Sequence, residues 1–208
     1  MDNEYLLQNA DPFPCKVWKA NYPGDLSKAI ERIRMESITV EPNRGVMKGG
    51  GKTNAGMESL PHTWPEMSEF MTWMAPRIRE VWRRWYLTEP VELKIWKSWF
   101  NVTSNSAYVE EHDHGGSHIA VSFYLKKPKG SGNIEYRNTE QPMWVNYPRN
   151  IVKGKANDFW CEVEGDEHDI LIFPGWLSHR VQPNPLKEQR IVFSCNIHGV
   201  TEYSPVLI

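Results

Sequence analysis

Short apolar segments alternate with turn sequences in the last 118 residues, and this pattern constrains the fold more than any other feature of the sequence. Six segments there are rich in β-branched and aromatic residues, which is typical of strands. They are residues 91–100, 118–125, 133–137, 159–164, 169–173 and 190–197. Because no helical pattern separates them, we expect antiparallel strands in a sandwich or barrel, and not a doubly wound parallel sheet.

The first 90 residues follow a helical period instead. Ala29, Ile30 and Ile33 form an apolar stripe behind Asp25, a residue suited to cap a helix. A second, more strongly apolar helix is predicted to begin near Thr63, because its apolar residues recur at the 3.6-residue spacing of a helix.

Between these helices, residues 41–60 are rich in Gly and Asn, and this composition predicts a mobile loop. The whole pattern indicates an α+β or mainly β fold. We predict one domain over residues 1–208, with a mostly helical N-terminal support in 1–90 and a β core in 91–200.

Charge and cysteine content exclude several classes of protein. Lys and Arg number 24 against 26 Asp and Glu, so the net charge of −2 gives no global attraction for nucleic acid or an anionic membrane, although a local patch stays open. No apolar run approaches the roughly 20 residues of a membrane-spanning helix. The acidic N-terminus is not typical of a signal peptide, so we expect a cytoplasmic protein. The 3 scattered cysteines are expected to be free and buried.

Histidines cluster in two places that are suited to metal binding. His112 and His114 precede a predicted strand, and residues i and i+2 of an extended chain point to the same side. His179 follows the turn Pro174-Gly175 at the end of another strand and is the best candidate for a third ligand. Imidazole suits Fe, Zn, Cu or Ni. The remaining histidines have no comparable setting, and we expect them not to bind metal: His62, His118, His168 and His198.

The last predicted strand carries a second signal. Its Ile191, Phe193, Cys195 and Ile197 share one face, which is plain core. The opposite face places Arg190 beside polar residues on a strand suited to burial, and a buried guanidinium needs an anionic partner. That partner is either an Asp or Glu of the chain or an acidic ligand next to the metal.

These motifs carry a family resemblance. The stretch from Trp99 to Asn196 resembles the Fe(II)- and 2-oxoglutarate-dependent oxygenases, and most closely the group that is frequent in bacteria and their phages. The matching residues are Trp99, Asn101, His112, His114, Tyr124-Leu125, the run from Phe173 to His179, Arg190-Ile191, Ser194 and Asn196. The resemblance covers about half of the chain, and residues 1–90 carry no matching motif.

The resemblance implies a double-stranded β-helix (jelly-roll) core and a dioxygenase, of the hydroxylase type, that uses Fe(II), 2-oxoglutarate and O₂. It implies that His112, His114 and His179 bind the iron and that Arg190 binds the far carboxylate of 2-oxoglutarate. A hydroxyl of Ser194 or Tyr124 would assist Arg190, and Asn101 would contact the cosubstrate or the substrate.

One position departs from the usual pattern of the superfamily. His114 stands where most members have Asp or Glu, so three neutral ligands would hold the iron. Glu110 lies two residues before His112 on the same side of an extended chain and is the alternative source of a carboxylate.

Two other classes remain open from the residues themselves. A cupin-type metal enzyme would use the same histidines without 2-oxoglutarate, and a silent binding module would hold no metal. The substrate, a small molecule or a peptidyl group, is not encoded in any motif. Residues 41–60 and 141–158 are candidate lids, and Trp144, Tyr147 and Trp160 are expected to seal the barrel, with stacking on a substrate ring as the alternative.

Overall fold

The structure is a computed structural model that describes residues 8–9, 17–86, 92–139 and 159–200. These residues form twelve strands, two α-helices and two short 3₁₀ turns. The helices are α1 (Ser27–Thr39) and α2 (Ser68–Tyr86), and the 3₁₀ turns are Pro61–Thr63 and Pro65–Met67. The strands are β1 (Gln8–Asn9), β2 (Trp18–Asn21), β3 (Met47–Lys48), β4 (Lys52–Thr53), β5 (Glu92–Thr103), β6 (Ala107–His112), β7 (Ile119–Lys126), β8 (Ile134–Arg137), β9 (Trp160–Val163), β10 (Asp169–Pro174), β11 (His179–Asn184) and β12 (Arg190–Val200).

The strands form two sheets in which every pairing is antiparallel. The larger sheet has the order β1-β2-β10-β7-β12-β5-β4, and the smaller has the order β3-β6-β11-β8-β9. The six predicted strand segments are all strands, and the expected antiparallel sandwich or barrel is confirmed. The sequence did not predict β6 and β11, whose ends carry His112 and His179.

The prediction of a mobile loop over residues 41–60 is wrong. This segment contains β3, which pairs with β6, and β4, which pairs with β5. It therefore joins an edge of the smaller sheet to an edge of the larger one. Since β2 also pairs with β10, residues 17–86 supply strands as well as the predicted helices.

The helices pack on the outer face of the larger sheet. The prediction that Asp25 caps α1 is wrong by one residue: the N-cap is Leu26, without a side-chain cap, and Asp25 accepts a hydrogen bond from the Ser27 amide in the turn before it. Phe70 of α2 stacks on Phe123 of β7, with ring centroids 3.8 Å apart, and also contacts Phe193 of β12. The face of β12 that was predicted as core therefore lies under the helices.

The opposite face of the larger sheet looks into the space between the two sheets. A second apolar cluster, which includes Leu171, Phe173 and Leu177, fills part of that space. Strands β7, β10 and β12 are consequently buried on both faces along most of their length. Polar side chains on their inner faces must find partners there, because water cannot satisfy them.

One aromatic prediction is wrong and two lie outside the described residues. Trp160 does not seal the barrel: its half-buried ring lies on the outer face of the smaller sheet, where the Arg180 guanidinium is 4.3 Å from the ring centroid. Trp144 and Tyr147, with the rest of 141–158, are not among the described residues.

Neither described helix is long and apolar enough to cross a bilayer.

The stacking of α2 on the larger sheet generates a stability prediction. Replacement of Phe70 by Ala removes a ring that is 1% exposed and leaves a cavity against Phe123. We expect the free energy of unfolding to fall by about 3–5 kcal/mol in urea denaturation. The control Arg79→Ala, on the exposed side of the same helix, should change it by less than about 0.5 kcal/mol. Equal effects of the two substitutions would contradict this packing.

Candidate metal centre

Two neighbouring strands and one loop bring three histidines together. His112 is the last residue of β6 and lies directly opposite His179, the first residue of β11. The loop after β6 turns back so that the His114 amide donates a hydrogen bond of 2.8 Å to the Gly175 carbonyl. The three rings have centroids 4.3–5.1 Å apart, and their candidate ligand atoms lie within 4.8 Å of one another.

The turn before His179 holds this loop in place and requires glycine. A Cβ on Gly175 would lie 2.1 Å from the Ser117 carbonyl oxygen, so any side chain would push the two segments apart. The Gly175 amide also donates to the His118 carbonyl at 3.1 Å. The Pro174-Gly175 turn therefore fixes the distance between His114 and His179.

Backbone carbonyls fix the tautomers of two of the three rings. Nδ1 of His112 lies 2.8 Å from the Glu110 carbonyl oxygen, and Nδ1 of His179 lies 2.9 Å from the Leu177 carbonyl oxygen. A carbonyl can only accept, so each Nδ1 carries the proton and each Nε2 keeps a free lone pair. This is the arrangement by which protein imidazoles present a nitrogen to a metal ion.

The electrostatics of the cluster also suit a cation. Burial lowers the pKa of His112 and His179, and it lowers the pKa of His114 to about 3. The rings are therefore neutral at physiological pH, which is the form that binds metal. Three neutral imidazole nitrogens fit iron and other first-row metals.

Two carboxylates close in sequence to these histidines do not join the cluster. Glu110 is exposed, and its Oε2 lies 3.5 Å from the Lys48 Nζ. Asp113 is also exposed and accepts a hydrogen bond from the Gly115 amide at 2.8 Å. Among the described residues, the geometry thus favours His114, and not the alternative Glu110, as the third ligand.

A buried guanidinium lies deeper in the same space. Arg190 is 1% exposed, and within the described residues it donates hydrogen bonds only to the backbone carbonyls of Ser131, Gly132 at 3.0 Å and Gln182 at 3.2 Å. No Asp or Glu among the described residues forms an ion pair with it. The internal salt bridge that the sequence left open is therefore absent from the described part of the chain.

Glycine is also needed beside this guanidinium. Gly132 has a φ of +83°, and a Cβ there would lie 2.7 Å from the Pro183 carbonyl oxygen and 3.0 Å from Nη1 of Arg190. The absence of a side chain at Gly132 lets its own carbonyl approach the guanidinium. The backbone around Arg190 thus orients the charge without neutralising it.

Two hydroxyl groups accompany Arg190, and the sequence predicted only one of them. Burial raises the pKa of Tyr124 to about 12, so its phenol is a neutral donor, and its oxygen accepts from the Ile134 amide. Thr103 lies directly opposite Arg190 across β5 and β12, and its buried Oγ1 has no hydrogen-bond partner in the described structure. The sequence signal for Thr103 is alternation: it lies two residues after Asn101 and four after Trp99, and therefore on the same face of β5.

All seven predicted site residues line one cavity: Asn101, His112, His114, Tyr124, His179, Arg190 and Ser194. Their depth differs. Ser194 pairs with Trp99, whose ring centroid lies 5.4 Å from that of His114, so Ser194 is nearer the histidines than Arg190. Asn101 lies between the two levels, opposite Val192.

The other histidines lie elsewhere, as expected. His62 hydrogen-bonds through Nδ1 to Ser98 Oγ at 2.7 Å, and the rings of His118 and His198 contact each other with centroids 5.7 Å apart. His168 is in the turn before β10, with a φ of +69°. None of the four belongs to the described metal-ligand cluster.

Comparison with known proteins adds a family to this geometry. Residues 97–196, which hold every one of these site residues, match the family described as "Putative 2OG-Fe(II) oxygenase". This segment belongs to the Fe(II)- and 2-oxoglutarate-dependent oxygenase superfamily. The protein is an oxidoreductase whose cofactors are Fe(II), 2-oxoglutarate and O₂. No curated protein matches the sequence.

Solved structures of this oxygenase fold resemble the chain over most of its length. A prolyl-4-hydroxylase of Pseudomonas putida has a TM-score of 0.58 at 13% identity, over 89% of this chain and 93% of that one. A collagen prolyl hydroxylase of Paramecium Bursaria Chlorella virus-1 has a TM-score of 0.55 at 10% identity, over 89% and 96%. HygX of Streptomyces hygroscopicus, solved with nickel and 2-oxoglutarate, has a TM-score of 0.55 at 12% identity, over 90% and 84%. The double-stranded β-helix core that the resemblance implied is thereby confirmed.

The cluster generates a prediction that separates His114 from Glu110. His114→Ala removes one of three converging nitrogens, and we expect the variant to lose stoichiometric Fe(II) binding under anaerobic loading. Glu110→Ala removes an exposed carboxylate and should keep one iron per chain, because that carboxylate faces Lys48. The measurement is iron content per chain after desalting. Iron kept by His114→Ala and lost by Glu110→Ala would contradict the assignment.

Proposed function

We propose that the enzyme binds Fe(II) through His112, His114 and His179, binds the far carboxylate of 2-oxoglutarate through Arg190, and hydroxylates a small-molecule or peptidyl substrate. The observation that supports this most strongly is the shared cavity of the three neutral imidazoles and a buried guanidinium without an acidic partner. When bound, iron and 2-oxoglutarate supply the oxidation of a C–H bond by O₂, with release of succinate and CO₂.

The two ends of the cavity suit the two ends of this cosubstrate. Arg190 lies at one end of the cavity, between β8, β11 and β12, where its guanidinium can bind a carboxylate. The histidines lie at the other end, at the level of Ser194 and Trp99. A five-carbon dicarboxylate can extend between them, with one end at the metal and the other at the guanidinium.

The hydroxyl groups around Arg190 complete the carboxylate site. We assign Thr103 and Tyr124 as donors to the far carboxylate, because one has a buried oxygen without a partner and the other keeps its proton. Ser194 is the less suitable of the two hydroxyls first predicted, since it lies four residues along β12 from Arg190. We assign Asn101, at an intermediate level, to contact with the cosubstrate.

The walls of the cavity position the reactants and exclude water. Val109, Ile134, Val181 and Val192 line it between the polar groups, so charges inside interact in a poorly hydrated space. The Nδ1–H bonds of His112 and His179 keep their Nε2 atoms aimed at the metal position throughout. The chain thus contributes orientation and desolvation.

Separate observations support the reaction type, the location and the kinship of the enzyme. Hydroxylation is proposed because two of the similar folds are prolyl hydroxylases. A cytoplasmic location is supported by the buried free thiols of Cys161 and Cys195, which suit a reducing compartment. Kinship with the group found in bacteria and their phages rests on the sequence motifs alone. A cupin-type enzyme is less suitable, because it would give Arg190 no ligand to bind.

The cosubstrate site generates a binding prediction. In protein loaded with Zn(II), Arg190→Ala should weaken 2-oxoglutarate binding at least about a hundredfold in calorimetry, because a buried charged hydrogen-bond partner is lost. The metal should stay bound. Arg190→Lys should recover only part of the affinity, since an ammonium cannot form the paired hydrogen bonds of a guanidinium.

A matched variant controls for the loss of positive charge. Arg180 lies on the outer face of β11 and pairs with Glu135 at 2.6 Å, so Arg180→Ala should leave 2-oxoglutarate affinity unchanged. If Arg190→Ala only lowers the unfolding temperature and binds 2-oxoglutarate like the wild type, Arg190 is structural and the proposed cosubstrate site is wrong.

A further inference from the structure

A second pocket opens beside the metal centre and shares a wall with it. We call it the mouth pocket. Trp99 lines both cavities, and Met57, Leu60 and Trp96 supply the apolar walls of the mouth pocket. Lys97 and Asn196 lie at one side of it, where they face each other across β5 and β12. A molecule in this pocket would therefore have one end next to the proposed iron.

The mouth pocket contains a buried amide without a partner. Asn196 is 7% exposed, and its Oδ1 has no hydrogen-bond partner among the described residues. Two other buried asparagines are bonded: Asn54 Oδ1 accepts from the Phe100 amide at 2.7 Å, and Asn184 Nδ2 donates to the Thr103 carbonyl at 2.8 Å. Asn133 Oδ1 also lacks a partner in the described part of the chain, but it does not line this pocket. A buried acceptor left unbonded is costly, so its presence in a cavity points to a ligand that donates to it.

The neighbouring polar group does not share this need. Ser98 Oγ accepts a hydrogen bond from the His62 amide at 3.1 Å and lies 2.7 Å from Nδ1 of the same residue. Its hydroxyl is therefore engaged inside the protein. Asn196 remains the polar wall of the mouth pocket that is available to a ligand.

The charge around the mouth pocket is positive. Lys97 lines it and forms no ion pair within the described residues, and its Nζ lies 4.4 Å from the Trp96 ring centroid. Arg44 reaches the same rim, since a Cβ on Gly56 would lie 3.5 Å from its Nη2. No Asp or Glu is among the residues known to line this pocket, and Glu58 of the adjacent loop is not one of them.

An irregularity in the sheet creates this arrangement. The pairing of β12 with β5 shifts between Asn196 and Ile197, so Trp96 is an extra residue with no partner of its own. Such a bulge re-aims side chains at the rim of a barrel. Here it leaves Trp96 47% exposed, with its Nε1 donating to Ser117 Oγ at 3.3 Å beside the loop that carries His114.

We propose that the mouth pocket binds the substrate that the enzyme oxidises, and that this substrate is a small acidic molecule. Its carboxylate or phosphate group interacts with Lys97, a donor group bonds to Asn196 Oδ1, and its apolar part lies against Trp96 and Trp99. This assignment rests on the proposed function, because it places the molecule next to the three histidines.

The test uses probes of one shape and different charge. The full chain is loaded with unreactive Zn(II) and saturated with 2-oxoglutarate, and the indole N–H signals of Trp96 and Trp99 are followed by NMR. The probes are 3-hydroxybenzoate, 3-hydroxyphenyl phosphate, 3-hydroxybenzamide and 3-hydroxybenzylamine, so that each carries a phenol O–H that can donate to Asn196 Oδ1. We expect at least one of the two anions to bind about tenfold more tightly than the benzamide, and the benzylamine to bind most weakly. The stronger anion shows whether carboxylate or phosphate is preferred.

Variants then tie that binding to the pocket. Lys97→Met should weaken the anion about two- to fivefold, as expected for a partly exposed charge pair, and Asn196→Ala should weaken it about tenfold. The control Lys94→Met removes another lysine from the same strand. Because Lys94 forms an ion pair with Glu92, its replacement should leave anion affinity unchanged.

Equal affinity for all four probes, or anion binding that is as insensitive to Lys97→Met as to Lys94→Met, would overturn the proposal. So would anion binding that responds to Arg190→Ala alone. Calorimetry with 2-oxoglutarate separates the two levels of inference. If 2-oxoglutarate binds but anion selectivity is absent, only the mouth pocket assignment fails, whereas failure of 2-oxoglutarate to bind removes the proposed function itself.

Discussion

The guanidinium of Arg190 is the group on which the interior of this protein depends. This cation is 1% exposed, and its partners in the described part of the chain are all carbonyls, so an anion that joins it would stabilise it. The surrounding chain is shaped to hold the guanidinium rather than to neutralise it, because Gly132 admits a backbone carbonyl where a side chain would collide. We propose that a carboxylate ligand supplies the missing charge in the cavity between the sheets, which Arg190 lines.

The register of β5 against β12 sets the spatial order of the polar groups along the cavity. Successive pairs on the inner face are Arg190 with Thr103, Ser194 with Trp99 two pairs further on, and Asn196 with Lys97 at the rim. The proposed cosubstrate site, the level of the histidine cluster and the mouth pocket therefore follow one another along one face of β12. The smaller sheet supplies the histidines at the middle level, because His112 and His179 face each other at the ends of β6 and β11.

Much of this arrangement could be predicted from local pattern. Strict alternation placed Arg190 and Ser194 on one face of the last strand, and the pair His112 and His114 with a third histidine after a Pro-Gly turn indicated the metal cluster. Alternation places Thr103 on the same face of β5 as Asn101 and Trp99, but the role that we propose for it could not be predicted, since only cross-strand register sets it opposite Arg190. The two-residue strands within 41–60 are too short to show a period, and pairing with β5 and β6 stabilises them.

A crystal structure of the Mn(II)-loaded protein with 2-oxoglutarate tests the central claim most directly. The account predicts one metal ion bound to His112, His114 and His179, and continuous density from that ion to Arg190. The far carboxylate should lie within hydrogen-bonding distance of the guanidinium and of Thr103 Oγ1. Metal held by Glu110, or a 2-oxoglutarate whose far carboxylate lies away from Arg190, would contradict it.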